Sequence, residues 1–98
     1  MNKEGYIYMM TNKNRTTLYI GVTADLKRRV WEHRTHYDKR SFTAKYNLEH
    51  CVYYEFFTDI AQAIQRETQL KKWRREKKEV LINNINPEWK DLWEDISM

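Results

Sequence analysis

One cysteine, Cys51, stands in 98 residues. That excludes an internal disulfide and any zinc site built on several thiolates. No apolar run approaches the roughly 20 residues of a membrane helix, and the opening MNKEGYIY has no apolar core of the kind a secretion signal carries. Internal repeats, low-complexity tracts and long linkers are missing too. One domain over 1–98 is expected, with a single modest core and a cytoplasmic, membrane-free setting. What is present is aromatic and basic. Aromatics at 14% and hydrophobics at 41% place the chain outside disordered composition, although 33% of it is charged. A net charge of +4 favours a polyanionic partner, because each phosphate neutralised releases condensed counterions.

The densest information lies between Gly5 and His33. The spacing there predicts a strand, a tight turn, a second strand and a helix. Setting Tyr8 opposite Tyr19 puts Thr11 opposite Thr16 and leaves Asn12 to Arg15 as a four-residue polar turn. Side chains alternate along a strand, so Ile7, Met9, Leu18, Ile20 and Val22 share an aliphatic face while Tyr6, Tyr8, Tyr19 and Gly21 share the other. Gly21 then pairs with Tyr6 and leaves backbone and space beside the tyrosines. Two readings of that face stay open: a half-buried surface filled by a common strand residue, or room for a ligand.

Thr23 or Asp25 caps the helix that follows, with Leu26, Val30 and Tyr37 on one apolar stripe. Arg29 and His33, four apart, fall at the edge of that stripe and aim a cation and an imidazole at the boundary of core and solvent. Each alone has an ordinary explanation, a snorkelling stem or a satisfied histidine. Together, beside the strand that carries Tyr19, they outline a site.

Tyr37 to Leu48 has no clean period and reads as a loop or irregular helix end. Lys39, Arg40 and Lys45 are interleaved there with Phe42 and Tyr46, a mixture that suits nucleic acid as well as solvent. Cys51 to Phe57 predicts a third strand, apolar on both faces. Asp59, with Gln62 three residues on, starts a helix whose apolar face is Ile60, Ala63, Ile64 and Leu70. Glu67 falls within that face. An ionised carboxylate there needs a partner, either Lys71 or Arg66 or a metal ion. Lys71, Lys72, Arg74, Arg75, Lys77 and Lys78 form a basic run around Trp73, and Val80, Leu81, Ile82 and Ile85 return to the core. Asn86 and Pro87 mark a helix start, with Trp89, Leu92, Trp93 and Ile96 on a closing amphipathic helix. The sum is an α+β fold, a three-stranded, largely antiparallel sheet flanked by helices.

Tyr6-Ile7-Tyr8, Tyr19-Ile20-Gly21, and then Arg29 and His33 resemble the signature of the GIY-YIG endonuclease superfamily. The resemblance extends over nearly the whole chain and is nearest to small, stand-alone, single-domain bacterial members. Tyr6 stands where the family name has glycine, the least chemical of the six tripeptide positions. The resemblance implies the same fold and a divalent-metal-dependent endonuclease that hydrolyses phosphodiester bonds, in DNA repair or processing. Glu67 matches the family's metal-holding glutamate on the helix after the third strand, and would hold one Mg²⁺ or Mn²⁺ with waters and substrate oxygens. Arg29 stays protonated and would clamp the phosphate. Tyr8 and Tyr19 are the candidates for orienting or deprotonating the water, and the family implies that Tyr8 sits nearest the nucleophile. An unperturbed phenol, with a pKa of about 10, is a poor base. Either Arg29 and the metal lower it, or His33 takes the proton. Gly21, Arg28 and Lys45 are candidate substrate contacts. The family's late asparagine has three competitors here, Asn83, Asn84 and Asn86, and the motif does not choose among them.

A second reading keeps the fold without cutting: a nucleic-acid-binding module that uses Arg28, Arg34, Lys45 and the basic run for phosphates and tyrosines for stacking. Glu67 argues against it, since binding alone gains nothing from a carboxylate near phosphates. A third, a zinc or interaction domain on His33, His36, His50 and Cys51, lacks paired-cysteine spacing. A domain this small has little surface for reading a groove, which points to structure-selective or weakly selective cleavage, of DNA before RNA, with a protein partner as one route to targeting.

Overall fold

The computed structural model describes residues 3–98. Met1 and Asn2, which head the stretch read above for a secretion signal and for the domain's start, lie outside them. Strands β1 (Gly5–Thr11), β2 (Leu18–Thr23) and β3 (His50–Phe57) form one antiparallel sheet in the order β2-β1-β3. Among the described residues five helices accompany it: α1 (Leu26–Arg34), α2 (Phe42–Lys45), α3 (Ile60–Lys71), α4 (Arg75–Ile85) and α5 (Trp93–Ser97). α3 and α4 cover the aliphatic face, where Ala63, Leu70 and Ile82 pack on Ile7, Met9, Ile20 and Val52. α1 and α5 cover the other face, where Leu26 and Val30 pack with Tyr8, Met10, Leu48 and Cys51. The central strand is therefore buried on both sides. Each fully buried aliphatic side chain there contributes about 1.5–3 kcal/mol from removal of apolar surface from water.

The faces follow the alternation of the sequence, but the register does not follow the expected pairing. Tyr8 pairs with Gly21 rather than Tyr19, and Tyr6 pairs with Thr23 rather than Gly21. A slip of two residues preserves parity, so every side chain keeps its face. The turn explains the slip. It occupies six residues, 12–17, because the Asn12 side-chain carbonyl accepts from the amides of Thr16 and Thr17 at 2.8 and 3.2 Å and Arg15 adopts φ 59°.

Other departures have equally local causes. Asp25, not Thr23, caps α1 by accepting from the Arg28 amide at 3.1 Å. The helix stops at Arg34, so Tyr37 leaves the apolar stripe and lies exposed. Ser41 caps the short α2 inside the segment expected to be irregular, accepting from the Ala44 amide at 3.1 Å. Ile64, Val80 and Ile85 face outward, and only Ile82 of α4 is buried. Asn86 starts no helix. It ends α4, and its buried amide donates to the carbonyls of Val52 and Lys90 at 3.0 and 2.9 Å and accepts from the Lys90 amide at 3.0 Å. The last helix begins only at Trp93, leaving Trp89 outside it. The basic run is split between α3 and α4, and part of it is structural: Arg75 donates to the carbonyls of Arg15 and Thr16, and Lys77 sits 4.0 Å over the Trp73 ring. No helix among the described residues is long and apolar enough to cross a membrane.

Candidate active site

β1 and α1 bring a phenol and an imidazole together beneath the surface. The Tyr8 hydroxyl lies 2.8 Å from His33 Nε2, with the two residues 1% and 3% exposed. The other ring nitrogen, Nδ1, is 2.7 Å from Thr43 Oγ1, which is itself 3.1 Å from Ser41 Oγ. Burial, and then the Arg29 charge, lowers the His33 pKa to about 4, so the imidazole is neutral near pH 7 and carries one N–H. Burial, and then Tyr19, pushes the Tyr8 phenol well above its ordinary value against the pull of Arg29. With the phenol protonated and the imidazole neutral, the phenol O–H is assigned to donate to Nε2. Nδ1–H then donates to Thr43. This assignment satisfies every group along the chain of contacts.

Gly21 makes the arrangement possible. A Cβ there would fall 2.5 Å from Tyr8 Cζ and 2.8 Å from Cε1. The room expected beside the tyrosines is therefore filled by the Tyr8 ring rather than left for a ligand, a direct result of the two-residue slip. Tyr19 packs against the pair, its ring centroid 6.3 Å from Tyr8 and 5.7 Å edge-on from His33. Glu32 anchors the Arg29 guanidinium at 3.1 Å and is shared by Arg28 at 3.4 Å. Burial opposes the charge on Arg29, but Tyr8, Glu32 and Tyr19 more than offset it and hold its pKa above the ordinary value. Arg29, Glu32, His33, Tyr37, Asp38 and Ser41 line a cleft of about 240 Å³. A cation at the mouth with a protonated phenol and a neutral imidazole behind it can bind an anion, orient a water and pass a proton inward.

Glu67 belongs to α3, on the opposite layer. Of its two expected partners it takes Lys71, 3.5 Å away, while Arg66 pairs with Glu55 through two bonds of 3.0 Å. Lys71 lines an open groove with Leu18, Tyr19, Ile20, Phe42 and Lys78. The structure thus gathers Tyr8, Tyr19, Arg29 and His33 into one cluster and links Glu67 to it through Lys71 and the Tyr19 edge of β2. Arg28 and Lys45 remain at the surface, Lys45 with its ammonium 5.5 Å over the Tyr46 ring.

A divalent ion fits Glu67 on chemical grounds. Its partly buried carboxylate is a hard oxygen donor held only by a lysine that is half exposed. Among the described residues no three His, Cys, Asp or Glu side chains converge, so an ion here would take one carboxylate plus waters and substrate oxygens, a set that Mg²⁺ accepts. The same observation removes the zinc alternative. His33 is committed at both nitrogens, and the Cys51 thiol is buried and donates to the Tyr53 carbonyl. Of the asparagines, Asn83 accepts from the Trp89 indole at 2.7 Å and Asn86 is the staple already described. Thr43 and Ser41 extend the cluster although no motif in the sequence marks them. The signal that could have found them is a serine poised to cap a short run that returns toward the histidine.

Residues 4–80 match the model of the GIY-YIG catalytic domain, and the chain belongs to this nuclease family. It is similar to UPF0213 proteins from three organisms. The protein of Haloquadratum walsbyi is 33% identical over 81 residues, covering 83% of this chain and 89% of the relative. That of Bacillus pumilus is 28% identical over 88 residues, covering 90% and 89%, and that of Syntrophus aciditrophicus is 29% identical over 85 residues, covering 87% and 95%. No solved structure matches the chain.

Proposed function

We propose that the chain is a divalent-metal-dependent endonuclease that hydrolyses phosphodiester bonds in nucleic acid, DNA before RNA, at the Tyr8–His33–Arg29 cluster. The observation that carries this reading is the buried 2.8 Å contact between the Tyr8 hydroxyl and His33 Nε2, under the influence of the Arg29 guanidinium. Arg29 receives the scissile phosphate. Its charge otherwise depresses His33, so an anion bound there makes the imidazole more basic. Tyr8 holds the attacking water. As the water's proton moves to the phenol oxygen, the phenol's own proton passes to Nε2, and the imidazolium keeps its Nδ1–H bond to Thr43. Tyr19 keeps the phenol and imidazole in register by packing on both. Glu67 would hold the ion, which when bound neutralises phosphate charge and lowers the pKa of water. A cytoplasmic role in DNA repair or processing, with a protein partner for targeting, belongs to the same reading.

The test is cleavage of labelled single-stranded, nicked and duplex DNA and of RNA, with Mg²⁺, Mn²⁺ or chelator, beside Glu67→Gln. The expected result is ion-dependent cutting that falls by at least about 100-fold in the variant while binding persists. Salt-sensitive binding by both proteins with no strand cut favours instead the non-cleaving module, which the hold of Lys71 on Glu67 would suit.

A further inference from the structure

Beyond the cleft, the surface carries an aromatic run that starts at Tyr19 and leads away from the proton path. Tyr19 and Phe42 stack at 6.1 Å with 29° between their planes, and Tyr46 follows 4.7 Å from Phe42. Phe42 and Tyr46 are 48% and 43% exposed, although burying a phenyl ring is strongly favourable. The run borders the groove of about 380 Å³ lined by Leu18, Tyr19, Ile20, Phe42, Lys71 and Lys78. Four aliphatic and aromatic residues share this lining with Lys78 and with Lys71, which Glu67 holds at 3.5 Å, and Lys45 adds a third cation beside Tyr46.

We infer that this groove is a subsite for one unpaired nucleobase and its adjoining phosphate, so that the chain takes single-stranded or locally unpaired nucleic acid. The inference rests on the nucleic-acid reading of the site and extends it to a substrate class. A nucleobase is flat, apolar on its faces and tied to an anion. The groove combines apolar and aromatic lining with lysine ammonium groups, a match that an aliphatic peptide or a second neutral surface lacks. A base inside a duplex has both faces covered by its neighbours and its edge paired, so it reaches such walls only once it is out of the stack. The position also fits. Tyr19 is shared by the groove and the catalytic cluster, which places a seated base next to the phosphate that Arg29 receives.

The experiment uses fluorescence anisotropy with the full chain in chelator. The probes are a labelled oligothymidylate, an abasic strand of the same length and phosphate charge, and a duplex. The proteins are the wild type, Phe42→Ala, Phe42→Tyr and, as an exposed aromatic outside the groove, Phe56→Ala. The wild type should bind the oligothymidylate about tenfold more tightly than the abasic strand, within the range of base–aromatic stacking. Phe42→Ala should remove that preference and leave abasic affinity unchanged, while Phe42→Tyr and Phe56→Ala keep it. Equal affinity of the wild type for both strands overturns the inference. So does an equal loss on both strands in Phe42→Ala, or a groove occupied by a second copy, seen as a concentration-dependent dimer that Phe42→Ala abolishes. Cleavage is read separately with Mn²⁺. A base preference without cutting leaves the groove standing and sinks the nuclease reading, and cutting without a base preference does the reverse.

Discussion

His33 carries a cost that only its position justifies. A solvated histidine titrates near 6.5, and in the folded chain burial and then Arg29 lower it to about 4. Between these values the unfolded chain binds more protons than the folded one, so stability rises with pH through this window and is lost as pH falls through it. The loss is on the order of 3 kcal/mol from a shift of this size. Urea unfolding of the wild type between pH 6.5 and 4.5 should show that slope, and His33→Gln should flatten it. Equal slopes would mean that the imidazole titrates freely. The same neutrality is what the proposed proton path requires, because an imidazole already protonated at pH 7 could not accept from Tyr8.

Two elements hold the Tyr8–His33 pair in place, and each yields a prediction. β2 passes close under the Tyr8 ring only because residue 21 has no side chain. Gly21→Ala forces the buried phenol aside, so it should cost about 1–3 kcal/mol in urea unfolding as other overpacked sites do, and should abolish cleavage. α2 acts through Thr43, whose side chain positions His33 from the far side. Thr43→Val should slow cleavage about tenfold or more, the low end for general acid–base effects being near 100-fold when the group itself is lost. It should also shift the His33 ring-nitrogen resonances while leaving strand binding intact, with Thr43→Ser restoring both. What the sequence disclosed follows the same division. Period-two alternation fixed which residues share a face, and parity survived the error in register because the turn lengthened by an even number. The register itself depended on the Asn12 side chain holding a six-residue loop, which no hydrophobic pattern encodes. α2 has only four residues, too few to show a helical period, so the Thr43 contact across an irregular segment was not legible. Ile64, Val80 and Ile85 look apolar enough for the core, yet their helices touch the sheet along a narrower stripe than the pattern suggests.

For the molecule as a whole, the site as proposed wraps the edge of the sheet. Tyr8, Arg29 and His33 lie in the layer under α1, Glu67 lies on α3 across the sheet, and Tyr19 on the edge strand borders both. An edge strand is where a flexible polyanion of the proposed kind could approach both layers at once, and a net charge of +4 favours its association with the molecule as a whole. The proposed role of Tyr8 is to handle, through His33, the proton in phosphodiester hydrolysis. It is tested most directly by single-turnover cleavage of a labelled strand in Mn²⁺ by the wild type and Tyr8→Phe, with folding checked by thermal melting. Removing one hydroxyl leaves the ring packing in place but deprives the water and Nε2 of their link, so the rate should fall by about 100-fold or more with strand affinity unchanged. A Tyr8→Phe protein that folds, binds and cuts at the wild-type rate would contradict the account.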